Sequence, residues 1–319
     1  MSFSVLGTGR CLPERVVTNE ELSALVDTTD AWIRQRVGVT QRRVCVTETA
    51  TDLAYGAAES ALEMSGVRPE ELDLILCATI TPEDLSPSMA CAVQARLGAR
   101  CPAMDLSAAC SGFLYALETA AAFFARGTVE KVLVIGAERL SRVVDWADRS
   151  TCIIFGDGAG AMVLGRGEGY LASRLNAWGG DAALKIPAFA GASPFYEGPA
   201  LAPYIRMNGQ ETFKFAVGAL ASDIEAVIAA AGLEKEDVDW VIPHQANLRI
   251  LDAAARKTGI PFEKFARNIE RCGNTSAASV PILADELNRD GRLKYGDLVV
   301  LAGFGGGLTS GACLIRWGA

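Results

Sequence analysis

Apolar positions along this chain fall into two rhythms. Short runs rich in aliphatic and β-branched residues, such as LDLILCAT at 72–79 and KVLVIGAE at 131–138, have the length and texture of strands. Between them the apolar residues recur every three or four positions, as in TATDLAYGAAESALEMSG at 49–66 and CAVQARLG at 91–98, which predicts helices. The opening stretch SFSVLGTGRC reads as a first strand, ARCPAMDLS at 99–107 as extended chain, and CIIFGD with AGAMVLGRG, 152–167, as a closing pair of strands. Strands and helices in alternation predict parallel sheets with helices on both faces. One segment breaks the amphipathic pattern. In DLSAACSGFLYALETAAAFFARG, 105–127, the predicted helix carries only Glu118 before Arg126 and is apolar nearly all round. Such a helix belongs between two sheets.

The pattern repeats. When SALEMSGVRPEELDLILCATITP is laid over EAVIAAAGLEKEDVDWVIPHQAN, Gly66 falls on Gly232 and Asp73 on Asp239, a shift of 166 in both cases (232 − 66 and 239 − 73). The same shift places Val132 on Leu298. Two similar halves are expected, 1–168 and 169–319, and with the central helix they predict an α/β fold of five layers, αβαβα.

Composition narrows the function. With 319 residues, half of them hydrophobic and 21% charged, the chain has the makings of a well-buried globule. No window reaches about 18 uninterrupted apolar residues, which argues against a membrane span. The start lacks a basic region followed by an apolar core, so no signal peptide is expected. Nine scattered cysteines without a C-x-x-C pair argue against a disulfide framework or a zinc site and point to a cytoplasmic protein. A single histidine excludes a His-rich metal centre. The net charge of −8 disfavours nucleic acid as a partner, and an anionic ligand would need a local basic patch.

Three residues could carry chemistry. Cys110 sits between an extended segment and the apolar helix, where unpaired N–H groups and the helix dipole would favour a thiolate; alternatively it is one more small buried apolar residue. His244, in DWVIPHQANLRILDAAARK, follows a strand at the beginning of an amphipathic helix, where ligands gather in α/β folds. As the only imidazole it must serve any histidine-dependent step, or it is structural. Asn274, in NIERCGNTSAASVPILADELN, is expected after a strand and before a helix, as a helix cap or as a polar group of a site. Shifting Cys110 by 166 lands on position 276, two residues from Asn274, so a pseudo-two-fold axis would bring the two loops face to face. A thiol, an imidazole and an amide at one point suit acyl transfer: the thiol holds the acyl group, and the other two donate to a developing oxyanion. The glycines Gly305 to Gly307 form either a tight strand connection or a place where a backbone N–H nears a reacting oxygen.

With DLSAACSGF, PHQANLRI, GNTSAAS, GFGGG and TTDAWIRQRVGVTQRR in this order, the chain resembles β-ketoacyl-acyl-carrier-protein synthase III of the thiolase-like superfamily. The resemblance implies a thiolase-like fold and a catalytic triad of Cys110, His244 and Asn274. Cys110 would take an acyl group from acyl-CoA, and malonyl-acyl-carrier protein would lose CO2 and be acylated, starting fatty-acid synthesis. It further implies an oxyanion hole from the N–H groups of Cys110 and Gly306, and CoA contacts at Thr28, Trp32, Arg36, Arg149, Phe213, Asn247 and Arg249. Lys214, Arg249, Arg256 and Lys257 would dock the carrier protein. No cofactor or metal is implied, since acyl-CoA and malonyl-carrier protein are substrates; a homodimer is. Ser86 before Pro87, where some members carry a bulky residue, is expected to widen the primer pocket. Priming ketosynthases or acyltransferases of polyketide or quinolone pathways share the triad and stand as the alternative. A cysteine peptidase would lack the repeat, and a thiolase would carry a second cysteine where Gly303 and Phe304 stand. FGDGAGAMVLG lacks the spacing of a dinucleotide loop.

Overall fold

The computed structural model describes residues 2–187, Phe195, Gly198 and 202–319. Helices form where caps permit. Thr49 and Asp52 exchange backbone and side-chain hydrogen bonds to open the helix Ala50–Ser65, and Gly66, at φ 68°, closes it in the left-handed conformation that glycine adopts without strain. Ser88 caps Met89–Leu97 in the same manner.

Two sheets carry the molecule. The first, in spatial order, is Ser2–Cys11, Gly158–Gly167, Lys131–Glu138, Leu74–Ala78 and Ala103–Leu106. The second is Trp240–Pro243, Leu298–Gly305, Gly307–Arg316 and Tyr170–Gly180. Each draws its strands from one side of residue 168. Only some pairs are parallel: Leu74 lies opposite Val132 and Ile75 opposite Ala103 in one sheet, and Trp240 opposite Val299 in the other. The remaining neighbours are antiparallel, so the sheets are mixed and the expectation of parallel sheets is corrected. For the pair Leu298–Gly305 and Gly307–Arg316 the reason is connection length. A parallel pair needs a crossover, and none fits into the single residue between Gly305 and Gly307.

Ala50–Ser65 and Met89–Leu97 cover the outer face of the first sheet, and Gly209–Ala230 with Leu248–Thr258 cover that of the second. Two helices, Gly112–Ala125 and Ser279–Arg289, fill the space between. Five layers result. The apolar helix predicted for the middle is there, with Phe113, Leu114, Leu117 and Phe124 fully buried. Each such side chain stabilises the fold by about 2 kcal/mol. Its one acidic residue, Glu118, accepts from the hydroxyls of Tyr170 and Ser173.

Two further expectations fail. Cys152–Asp157 is buried but folds as turns, with Phe155 forming a lone bridge to Asn274. Its backbone groups bond across the chain rather than along a ladder. Arg42 donates to the Ile153 carbonyl (2.9 Å), Asn274 N–H to that of Ile154 (2.9 Å), and Gly156 N–H to that of Asn274 (3.0 Å). An apolar run reports burial, not conformation. The segment before Asn274 is also no strand. Ile269–Cys272 is one helical turn, started by Gln245 Oε1, which accepts from the N–H groups of Asn268 and Ile269.

Candidate active site

Cys110 sits in a 3-10 turn, Ala109–Ser111, between the strand Ala103–Leu106 and the central helix. A matching 3-10 turn, Ser276–Ala278, leads into the other inner helix, and the two turns pack together. Ala109 and Ser276 hold φ of 48° and 50°, left-handed values that cost non-glycine residues on the order of 1–3 kcal/mol. Strain of this kind persists only where surrounding structure imposes it, and here it marks both turns. Cys110 and Ser276 line one cavity of about 390 Å³, whose walls include Leu140, Val143, Phe155 and Ile205.

His244 follows the strand Trp240–Pro243, with its N–H on the Ala302 carbonyl at 2.7 Å and its ring edge-on to Phe304. Nδ1 lies 2.7 Å from Ser279 Oγ, which also reaches the Ser276 carbonyl at 2.9 Å. Donation by Ser279 to Nδ1 leaves the ring proton on Nε2; donation to Ser276 leaves Nε2 bare. Burial holds the imidazole pKa down to about 3, so the ring is neutral. Asn274 Oδ1 accepts from Ser276 N–H at 2.8 Å, which fixes the amide's orientation. Gly303 is the shared neighbour of imidazole and thiol turn: a Cβ there would stand 3.4 Å from His244 Cβ and 3.6 Å from the Cys110 carbonyl oxygen.

The thiol differs from expectation. Burial pushes Cys110 up to about 12, with the charge of Glu138 adding to the rise, while hydrogen bonds from the Ser276 side chain and from its own N–H pull it down. The resting group is a thiol, because removing water costs a thiolate more than the turn's N–H groups return. Of the three glycines, Gly305 lies nearest the cysteine turn: a Cβ would come 2.6 Å from Cys110 N. Gly306 lines the cavity.

A second cleft, about 480 Å³, opens among Trp32, Gln35, Arg36 and Arg249. Arg149 stands over the Trp32 ring at 5.3 Å, Asn247 Nδ2 donates to the Arg36 carbonyl, and Arg249 lies 5.8 Å from the Phe213 ring. Thr28 Oγ1 is buried without a hydrogen-bond partner. The residues that the resemblance assigns to CoA are thus largely gathered, and Gln35 joins them unforeseen. Lys214 is exposed beside Phe213, whereas Arg256 pairs with Asp252 at 2.6 Å and Lys257 is exposed on the last turn of its helix. Ser86 is exposed and does not line the cavity; Leu85 does, which corrects the expectation that residue 86 shapes the pocket within this chain.

Ser276 and Glu138 were not singled out by the sequence. Ser276 is the 166-residue image of Cys110, and Glu138 is the one acidic residue at the end of an apolar strand. Fully buried, Glu138 accepts from Ser276 Oγ (2.9 Å), Thr81 Oγ1 (2.6 Å) and Ile80 N–H (3.2 Å).

Comparison with known proteins gives a consistent picture. Residues 104–179 match the family model of 3-oxoacyl-[acyl-carrier-protein] synthase III, and residues 228–317 match that of its C-terminal part. The β-ketoacyl-[acyl-carrier-protein] synthase III of Alkalilimnicola ehrlichii is 48% identical over 99% of this chain and 100% of its own. The crystal structure of 3-oxoacyl-[acyl-carrier-protein] synthase III from Aquifex aeolicus is 48% identical, with a TM-score of 0.92 over 99% of this chain and 100% of that one. The priming β-ketosynthase of the R1128 polyketide pathway is 35% identical, with a TM-score of 0.94 over 99% of this chain and 96% of that one.

Proposed function

Because this chain belongs to the β-ketoacyl-[acyl-carrier-protein] synthase III family of thiolase-like enzymes, we propose that Cys110, His244 and Asn274 carry out its condensation. The protein is an acyltransferase of the condensing type that initiates fatty-acid synthesis. Acyl-CoA lies with its nucleotide end against Trp32, Arg36, Arg149 and Arg249, where arginines pair with phosphate and indole offers a stacking face. Thr28, Phe213 and Asn247 complete that contact surface. The acyl end meets Cys110, whose sulfur attacks the thioester carbon; the C–S bond to CoA breaks and CoA leaves as thiolate. N–H groups of Cys110 and Gly306 hold the transient oxyanion. Malonyl-acyl-carrier protein follows and loses CO2. Asn274 Nδ2 and His244 Nε2–H donate to the enolate oxygen, and the carbanion attacks the acyl-cysteine, forming a C–C bond and freeing the sulfur. A neutral imidazole suits this role, since it donates without surrendering its proton.

The single observation that supports this most is the meeting of the cysteine turn with the turn that follows Asn274, on one apolar cavity, with His244 adjacent through Gly303. Intact-mass spectrometry after incubation with acetyl-CoA tests it. Wild type gains one acetyl group and Cys110→Ala none, whereas His244→Ala and Asn274→Ala still acylate but lose malonyl decarboxylation, each by about 100-fold or more. An adduct on Cys110→Ala removes the assignment. Identity of 48% over the whole chain favours the fatty-acid reading over polyketide or quinolone priming, for which the solved ketosynthase stands at 35%.

The same reading takes 1–168 and 169–319 as duplicated halves, supported by each sheet's strands coming from one of them. It takes the carrier protein to dock on Lys214, Arg249, Arg256 and Lys257, and the enzyme to be a homodimer. The edge strand Ala103–Leu106, with Met104 exposed, supports a sheet continued across a two-fold axis. No cofactor enters, acyl-CoA and malonyl-carrier protein being consumed as substrates; among the described residues no cluster of ligating side chains could hold a metal. No described helix is long and apolar enough to cross a membrane. Nine unpaired cysteines support a cytoplasmic location, and the net charge of −8 weighs against nucleic acid as a partner.

A further inference from the structure

Beneath Cys110 the structure holds a carboxylate that the condensation scheme leaves idle. Glu138 ends the strand Lys131–Glu138 and is fully buried. It crosses from the first half to the second, since Ser276 Oγ donates to its Oε1 at 2.9 Å and the Ala277 N–H also bonds to it. Its Oε2 receives Thr81 Oγ1 at 2.6 Å, Ile80 N–H at 3.2 Å and Thr79 Oγ1 at 3.4 Å. Ser276 and Cys110 line the same cavity on turns that pack together, and the Ser276 side chain pulls the thiol's pKa down. A hydroxyl has one proton to give. While Glu138 is ionised, Ser276 donates to it and can only accept from the Cys110 S–H. If Glu138 carries a proton, it can donate to Ser276, whose own proton then turns to the sulfur. The three groups form a line along which one proton can hop.

We propose that Ser276 and Glu138 form the proton path of Cys110, Ser276 as the hydroxyl that shares the cavity with the reacting sulfur and relays its proton, and Glu138 as a positioning residue acting through it. The inference rests on the acyl-cysteine reading above. As the sulfur attacks the thioester, its proton passes to Ser276 and Ser276's proton to Glu138. The new S–C bond forms, the bond to CoA breaks, and the CoA thiolate leaves and takes a proton from water. Glu138 keeps the proton while the acyl-enzyme lives. When the carbanion displaces the sulfur, the thiolate regains that proton by the reverse hop, and no oxidant or reductant is needed.

Two observations fit. Burial raises Glu138 to about 7, so the carboxyl changes state near neutrality, where an effective general base should. Cys110, pushed up to about 12, forms no free thiolate at rest, so the proton must leave as the S–C bond forms and charge moves to the oxyanion. Around Glu138 the titratable groups are the thiols of Cys110 and Cys77, both raised further by its charge. Asp105 acts on Cys77 from the next strand, and Glu83 lies farther out in the cavity with Arg139 and Arg142 upon it. Of the carboxylates, it is buried Glu138 that bonds to the serine.

Single-turnover acetylation of Cys110 by acetyl-CoA, followed by mass against pH, tests the path. Wild type should accelerate as Glu138 deprotonates near neutrality and then level off. Glu138→Gln and Ser276→Ala should each acylate about 100-fold more slowly and lose that limb. A folded Glu138→Gln or Ser276→Ala with the wild-type rate and pH profile overturns the proposal, as does a loss of melting temperature that leaves the profile intact. If Glu138→Gln fails to fold, Ser276→Ala decides. Infrared difference spectra of wild type give an independent reading, in which acetylation should raise a protonated carboxyl band that Glu138→Gln, where folded, lacks; absence of the band from wild type overturns the path. A wild type that forms no acetyl adduct at all would instead refute the acyl-cysteine reading.

Discussion

At the scale of single residues, burial rather than sequence neighbourhood sets the chemistry. His244 is neutral because water is excluded from it, and its folded pKa of about 3 lies below the usual 6.5. A depressed value means that its contribution to stability is present above pH 6.5 and lost as pH falls toward 3. Urea unfolding should show it: between pH 7 and pH 4 wild type should lose about 3 kcal/mol more than His244→Gln. Glu138 works in the opposite direction. Raised to about 7 from 4.5, it contributes stability below pH 4.5 that is lost as pH rises to 7, so the two partly offset in wild type and the variant is needed to separate them. As candidates, Cys110 and His244 were legible from a local pattern of strand end, turn and helix start, and Asn274 from the repeat that sets its loop opposite that of Cys110. Their protonation was not, for the helix dipole can be inferred from local order but desolvation depends on the whole shell.

At the scale of elements, close approach decides which turns can hold the site. A Cβ at Gly136 would lie 2.5 Å from the Ala277 carbonyl oxygen, backbone that cannot move without carrying Ser276 with it. Gly136→Ala should therefore lower stability by about 1–3 kcal/mol and slow acetylation of Cys110, measured by calorimetry and intact mass. Gly218, in the helix Gly209–Ala230, has no atom within 4 Å of such a Cβ, so Gly218→Ala should stabilise by about 0.5–1 kcal/mol and leave acetylation unchanged. The outer helices Ala50–Ser65, Met89–Leu97 and Leu248–Thr258 were legible from period. Cys152–Asp157 and Ile269–Cys272 were misjudged because their backbone partners, Arg42, Asn274 and the Gln245 side chain, lie far away in the chain.

At the scale of the whole molecule, the edge strand Ala103–Leu106 offers the test of assembly. Met104→Arg places a charge on that edge and should shift sedimentation equilibrium from dimer toward monomer; a wild type that sediments as monomer would remove the dimer. The layered architecture followed from the sequence alone. Periodicity predicted most of the helices and strands, the 166-residue shift predicted two similar halves, and a helix without a polar face had only the middle layer to occupy. Strand direction and the line from Cys110 through Ser276 to Glu138 emerged only from tertiary structure. Periodicity records which face of an element meets the core, a property of neighbours three or four residues apart. Which groups share a proton depends on contacts spanning 138 residues between Glu138 and Ser276, and no local pattern encodes that distance.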